Sequence, residues 1–525
     1  LLSAQTLDSV SGDRQALVDL YQATGGPGWD NNRGWLDGPV SDSWYGVQVD
    51  AEGRVVRVDL ADNNLRGTEG LPASLGNLKR LRYLNVLYNR ISGPLPEALF
   101  SGPRSLEYLY LNFSSNVMPK HPDLHEQTRT GGGDIHTGKT DQGAGNKFTG
   151  QIPASFDLPN LQWFALTWSD ISRVDPAVFS STALRGLWLG NNHRLGGNNQ
   201  QIPPAIGRLR QLEHLALNSS PGAATEDAWG GELPAEFGNL TSLKSLRISE
   251  NNFTGRFPDL SGATGMQTFV IRSTNFTSGF PAYGLDGTWP QINSFVVSFT
   301  KFRDAQLPEQ APRSLRTLNA PSSGIAGTLP VSQFPRQIIV TDFSWNNLSG
   351  PGPRELRHLV RIRNLRWSDN ELEGPWPELD WTNKQNLTNS AGQRVHPLRF
   401  FTRAHFNGNR YVFADMLVVS DEGKTLFEWY RQEAEVSFRY GNQKPFGSEA
   451  NQSGPRIDFS GVVTHPDNVY RWYRNGSGLS GPSGNVLDAR QWGTGTYRLE
   501  VTNPQVPELT LQSIPITITE QDLNG

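Results

Sequence analysis

Apolar residues recur along this chain in one fixed frame. At Leu81-Arg-Tyr-Leu84-Asn-Val86-Leu-Tyr-Asn89-Arg-Ile91-Ser-Gly93-Pro-Leu95-Pro96 the order is apolar-x-x-apolar-x-apolar-x-x-Asn-x-apolar-x-Gly-x-apolar-Pro. The same order returns from Leu243 to Pro258 and from Ile362 to Pro377. Further copies open at Val55, Leu106, Leu161, Leu184, Leu212, Met266, Ile292, Leu315 and Ile338, and a degenerate copy runs from Phe401 to Tyr411. Most starts lie about 23 to 31 residues apart, the period of an array of small stacked units. About thirteen copies in one frame exclude coincidence and define a region over residues 55–415.

Each position of the frame has a physical role. The apolar-x-apolar core predicts a short strand with one face buried. Asn stands where the chain leaves the strand, and its amide can pair with backbone groups that would otherwise be buried without partners. Gly permits the bend that follows, and Pro fixes φ beyond it. One copy cannot cover its own apolar face, so the copies must stack into a solenoid with a continuous core.

The Gly-x-apolar-Pro ending, as in Gly150-Gln-Ile152-Pro153, Gly231-Glu-Leu233-Pro234 and Gly327-Thr-Leu329-Pro330, resembles the plant-type leucine-rich repeat of receptor-kinase ectodomains and polygalacturonase-inhibiting proteins. The resemblance implies an α/β horseshoe of mostly short parallel strands, with a second short strand and a 3-10 or irregular convex side. Before the repeats, residues 1–54 hold an amphipathic stretch, with Ala16, Leu17, Leu20 and Tyr21 at helical spacing, followed by Trp29, Trp35 and Trp44. This resembles the N-terminal cap of such repeats without its cysteines, and the tryptophans are expected in the cap's core.

The period changes after Tyr411. Residues 416–525 are expected to hold a connector and a β-sandwich. Its strands are placed near Glu435–Phe438, Arg456–Phe459, Tyr470–Tyr473, Tyr497–Val501 and Ile514–Ile518, with turn residues between them. The segment resembles an immunoglobulin-like module, with Trp472 as its core tryptophan, Tyr497 in the tyrosine-corner segment and Leu499 where the family often carries cysteine. Cap, repeats and cysteine-free tail together resemble secreted or surface leucine-rich-repeat proteins of bacteria, especially of the Bacteroidetes type. That resemblance implies an extracellular, outer-membrane-associated setting. The opening segment Leu1–Gln5 reads either as the tail of a cleaved leader or as an arbitrary boundary.

Composition narrows the function. With no cysteine, disulfides, thiolate metal sites and cysteine nucleophiles are excluded. A net charge of −4 offers no basic field for nucleic acid. No apolar run approaches a membrane-spanning length. An insertion near residues 112–145 carries His121, Asp123, His125, Glu126, Asp134, His136 and Asp141, but glycines at 131–133, 143 and 145 argue for a solvated insertion over converging metal ligands. The glycines lack the Lys-Ser/Thr of a phosphate loop. Glu378 and Asp380 read as solvated turn carboxylates, and no Ser/His/Asp set is legible. The chain therefore reads as non-enzymatic, without cofactor or metal.

Registering the repeats brings out the candidate site. The positions beside and between the core residues of each strand face the concave side, and aromatics crowd there in the first half of the array: Tyr83, Tyr88, Tyr108, Tyr110, Trp163, Trp168 and Trp188. Solvated aromatics clustered in this way mark a binding surface, unless the 112–145 insertion folds over them. The expected function is exported recognition or adhesion, with a protein or peptide partner on the concave face. A glycan partner and a structural surface-layer or matrix role are the alternatives.

Overall fold

The computed structural model describes all residues except 1–7, 113–144, 193–199, 220–227, 310, 330–333, 353–355, 357–358, 360, 377–386, 389–393, 396–402, 420–424, 428–436 and 525. The insertion that carries His121 to Asp141 and the pair Glu378 and Asp380 therefore lie outside the described residues. The chain divides into two compact units, 1–281 and 282–525.

The first unit opens with helix α1 (Val10–Ala23), whose start is capped by the Ser9 hydroxyl accepting from the Gly12 N–H at 3.1 Å. Ala16, Leu17 and Leu20 are fully buried. The three cap tryptophans are buried as well and interlock, Trp29 edge-on to Trp35 at 4.7 Å and Trp35 tilted against Trp44 at 5.1 Å. In place of disulfides a buried ion pair ties the cap to the first repeat. Asp13 accepts from Arg54 Nε and from the Val55 N–H, each at 2.9 Å.

Strand β1 (Val47–Val49) runs antiparallel to β2 (Val55–Asp59). From β2 a parallel sheet grows by one strand per repeat: β3 (Tyr83–Asn85), β4 (Tyr108–Asn112), β5 (Trp163–Leu166), β6 (Gly186–Trp188), β7 (His214–Ala216), β8 (Ser245–Arg247) and β9 (Thr268–Arg272). The central residues Leu84, Leu109, Phe164, Leu187, Leu215 and Leu246 pair across the strands and are buried in the repeat core. On the other side of the turn, Arg66–Gly67, Arg90–Pro94, Lys147–Ile152 and Asp170–Val174 form the second, parallel sheet. Short 3-10 segments such as Ala73–Asn77 and Ala235–Asn239 follow it, as the plant-type ending implied. Gly93 shows why glycine closes the frame: its φ is +107°, and a Cβ there would stand 2.4 Å from the Thr68 carbonyl oxygen.

The asparagines act as the frame predicts. Asn89 donates to the carbonyls of Leu60 at 2.8 Å and Val86 at 2.9 Å, and accepts from the N–H groups of Asn63 and Leu65. The residue before this position adopts a left-handed backbone in repeat after repeat: Tyr88 at +58°, Trp168 at +53°, Asn191 at +56° and Glu250 at +57°. The conformation aims its N–H at the next repeat, as when Trp168 donates to the Gly190 carbonyl at 3.2 Å.

The second unit continues the pattern with parallel strands β10 (Ser294–Ser298), β11 (Thr317–Asn319), β12 (Val340–Asp342), β13 (Asn364–Arg366), β14 (Arg403–His405) and β15 (Ser437–Arg439). Ser437 and Phe438, the described part of the run expected in the sandwich, belong here: Arg403 pairs with Ser437 and His405 with Arg439 in parallel. Its alternation suits either setting, and only the neighbouring edge of β14 selects the parallel one.

Two antiparallel sheets follow. One joins β16 (Gln452–Ser453), β17 (Arg456–Asp458) and β20 (Val486–Asp488). The other is built on β18 (Val469–Arg474), β19 (Ser477–Gly478), β21 (Gly495–Thr502), β22 (Thr510–Gln512) and β23 (Ile516–Ile518). Trp472 is fully buried, stands opposite Leu499 across β18 and β21, and donates from Nε1 to the Gly484 carbonyl at 2.8 Å.

Candidate binding site

Alternation along each strand places the residues on either side of the buried centre on the open face of the first unit's sheet. Strand pairing there makes two columns. Tyr83, Tyr108, Trp163, Gly186, His214 and Ser245 are consecutive partners in the first. Asn85, Tyr110, Ala165, Trp188, Ala216 and Arg247 are consecutive partners in the second. Strands about 4.8 Å apart force rings in one column into contact.

Tyr83, Tyr110, Trp163 and Trp188 accordingly share one apolar cluster with Leu87, Ala165 and Ala216, and Tyr88 and Tyr108 pack on its edge. Tyr83 lies 5.6 Å from Tyr108 and 5.8 Å from Tyr110, and Trp163 stacks on Trp188 at 5.6 Å and 14°.

The sequence places these rings in solvent, and here the structure corrects it. Tyr83, Tyr110, Trp163 and Trp188 retain between 0% and 7% of their exposure, while Tyr88 and Tyr108 are half-buried. Rings on adjacent strands cover one another, and small residues between them let the rings lie flat. Gly186 is the clearest case: a Cβ there would stand 2.4 Å from both Trp163 and Trp188. Trp168 is not part of the cluster and is 42% exposed. Its backbone is left-handed and lies beyond the end of β5. Whether the insertion covers the rings lies outside the described residues.

Two participants were not singled out from sequence. His214 extends the ring stack, 6.0 Å and 16° from Trp188 and 5.9 Å from Trp163. Its place in the same column as Trp163 was the available signal. Arg57 lies over the Tyr83 ring at 3.5 Å and pairs with Asp59 at 2.7 Å, so one end of the cluster is cationic and hydrogen-bonded. Asn85 joins that end by donating to Asp59 at 3.0 Å.

The electrostatics follow from burial. Burial pushes the Tyr83 hydroxyl well above the ordinary phenol range and raises that of Tyr88, with Asp59 and Asp62 respectively adding to the effect. Burial lowers the His214 pKa to about 4 against the pull of Glu213, so the ring is neutral at pH 7. Burial, then the nearby Arg272, lowers the pKa of Arg247, whose Nε finds no acceptor among the described residues.

Along the N-terminal ends of these strands runs a groove of about 680 Å³, lined by Glu107, Gln162, Arg185, Glu213 and Lys244. Burial raises the Glu213 carboxyl, but Lys244 and Arg185 outweigh it and hold the group below the usual range. The half-buried rings Tyr88 and Tyr108, with a polar, charge-paired groove along the same strands, are suited to holding an extended chain with apolar side chains. Among the described residues no group of three or more His, Asp or Glu side chains is placed to hold a metal. No described helix is long and apolar enough to cross a membrane.

Residues 242–263 match the Leucine Rich Repeat family model. Over 273 residues the chain is 26% identical to the receptor-like kinase TMK2 of Arabidopsis thaliana, a stretch covering 46% of this chain and 28% of that protein. The chain therefore spans less than a third of that relative's length. Among solved structures, the PEPR1–AtPEP1 complex aligns over 83% of this chain and 59% of its own, with a TM-score of 0.54 at 17% identity. The Arabidopsis receptor kinase HAESA, in complex with the peptide hormone IDA and the co-receptor SERK1, aligns over 76% and 66%, with a TM-score of 0.50 at 21% identity. At these identities the likeness is one of fold, a leucine-rich-repeat solenoid. The relatives overturn the expected Bacteroidetes-type assignment, because the similar sequences include receptor-like proteins of Arabidopsis. The outer-membrane association that came with it loses its support.

Proposed function

We propose that this chain is the extracellular recognition module of a plant-type receptor-like protein. In this reading it binds a peptide or protein segment on the open face of β3–β7. The observation that carries the proposal is the ring cluster itself. Tyr83, Tyr108, Tyr110, Trp163 and Trp188 stand on the side of the sheet opposite the leucine core, apart from the repeat's own buried centre. Large rings at such positions are the usual anchors of recognition. Tyr88, Tyr108 and His214 form its accessible rim, Trp168 lies exposed beyond β5, and the neighbouring groove supplies hydrogen bonds. One structure of similar fold, HAESA with the peptide hormone IDA, is a complex with a peptide, which supports a peptide over a glycan. No step of the proposal requires a cofactor or a reaction.

The two antiparallel sheets are read as an immunoglobulin-like module that serves as a spacer. The support is local: Trp472 faces Leu499 across the strands, and the Tyr497 hydroxyl donates back to the Gly493 carbonyl, in the manner of a tyrosine corner.

The binding proposal is tested with a displayed library of random dodecapeptides selected on the intact chain. Enriched peptides should lose at least about ten-fold in affinity for a Tyr88→Ser/Tyr108→Ser variant of unchanged melting temperature, since losing two rim anchors removes on the order of 1.4 kcal/mol or more. Enriched peptides that bind the variant as well as the original, or a chain that enriches only glycans on an array, would refute it.

A further inference from the structure

The second unit has an open face of a different character. In β12–β15 strand pairing aligns Asp342, Arg366, His405 and Arg439 in one column, with Arg403 beside them on β14. Their neighbours Thr341, Leu365 and Ala404 are buried in the core, so the charged column lies on the opposite side. Adjacent members stand about 4.8 Å apart. Three guanidinium groups thus fall within roughly one Debye length of one another, where their repulsion is not screened out.

Among the described residues little compensates them. Asp342 is the carboxylate of the column, and each of its oxygens is already engaged. One oxygen receives Arg366 Nη1 at 3.0 Å and the other the Ser344 N–H at 3.1 Å. Glu371, on the other sheet, is occupied by Arg410 and Lys444. Arg403 and Arg439 form no ion pair among the described residues, and Arg366 Nε is buried without an acceptor there. His405 between them adds no charge at neutral pH, because burial and then Arg439, Arg366 and Arg403 depress its protonation, with Asp342 opposing. Beside the column stands Trp345, 59% exposed and held at φ +56°. That backbone is a strained one for a bulky residue, and here no burial offsets the strain.

We propose that this face is a second binding site, for an acidic peptide segment. Its carboxylates pair with Arg366, Arg403 and Arg439, and an apolar residue of the segment lies on Trp345. Guanidinium forks match carboxylates in bidentate geometry. The cationic strip is only about two strand spacings wide and ends at Asp342. It is too short and too mixed in sign for the continuous phosphate row of a nucleic acid. The site is independent of the ring cluster in the first unit.

The test uses the full chain and fluorescence anisotropy. The probe is a fluorescein-labelled peptide of glutamates interrupted by one phenylalanine, with a glutamine-for-glutamate peptide and a single-stranded oligodeoxynucleotide as comparisons. The glutamate peptide should bind saturably, weaken as salt rises, and lose at least about ten-fold in affinity for Arg403→Ala/Arg439→Ala. The Tyr88→Ser/Tyr108→Ser variant should bind it unchanged, which separates this site from the first. Should the double alanine variant melt early, Arg403→Gln/Arg439→Gln replaces it with the same expectation. Absence of saturable binding, equal binding of the glutamine peptide, tighter binding of the oligonucleotide, or undiminished binding by the arginine variant would each overturn the proposal.

Discussion

The indole of Trp188 lies against the imidazole of His214 at 6.0 Å and 16°, and the two residues come from adjacent repeats, β6 and β7. The contact joins a titratable group to an apolar stack, and it has a consequence for stability. Burial, opposed by Glu213 and reinforced by Lys244 and Arg185, lowers the folded pKa of His214 from 6.5 to about 4. The fold therefore favours the neutral ring. Its contribution is complete above about pH 6.5 and is lost as pH falls from there through 4, because the unfolded chain takes up the proton first. The melting temperature should drop over this window. The drop should be smaller in His214→Gln, read by thermal unfolding at matched ionic strength. An identical pH profile for the two proteins would show that His214 is not held neutral by the stack.

Gly186 should be intolerant of any side chain. A Cβ at this position meets Trp163 and Trp188 at 2.4 Å, so Gly186→Val must push the rings apart. Overpacking of this kind costs about 1–3 kcal/mol. Gly186→Val should lower the melting temperature and weaken the near-ultraviolet circular dichroism of the ring stack. A variant with unaltered aromatic signal would place the rings elsewhere.

The asparagine at the turn should be replaceable only by another hydrogen-bonding residue. Asn370 donates to the carbonyls of Phe343 at 2.9 Å and Ser368 at 3.0 Å and accepts from the Leu348 N–H at 3.1 Å. Asn370→Leu leaves buried backbone groups unpaired, at about 1–3 kcal/mol for each. Asn370→Ser should lose less, since Ser323 fills the equivalent place in its own repeat and donates to the Val297 and Pro321 carbonyls. Equilibrium unfolding in urea would rank the two, and equal losses would remove the hydrogen-bonding role.

Phe299 is 52% exposed and held at φ +53°, a conformation that asparagine adopts far more readily. Phe299→Asn should therefore raise stability, by up to about 1 kcal/mol, while removing an exposed ring. A fall in the melting temperature would mean that the ring makes a stabilising contact that outweighs the strain.

The sequence alone determined the repeat and its register. The frame from Leu81 to Pro96 repeats often enough to name the buried centre of each strand, and alternation then assigns Tyr83 and Asn85 to the other face. It also identified the cap, because Ala16, Leu17 and Leu20 share one helical face. Such features depend on spacing along the chain, which is legible residue by residue. Other features depend on which atoms from distant repeats share a volume, and only the tertiary structure decided those. Trp163 and Trp188 stack on one another because Gly186 between them has no side chain, and His214 completes the stack because its strand comes next. Ser437–Arg439 joins the parallel sheet because β14 offers it an edge, although its alternation would equally suit a sandwich. The charged column of β12–β15 became visible only when strand pairing set Arg366, His405 and Arg439 side by side from segments of irregular length. Periodicity states which way a side chain points, and the neighbouring strands decide whether it meets water, a ring or a charge.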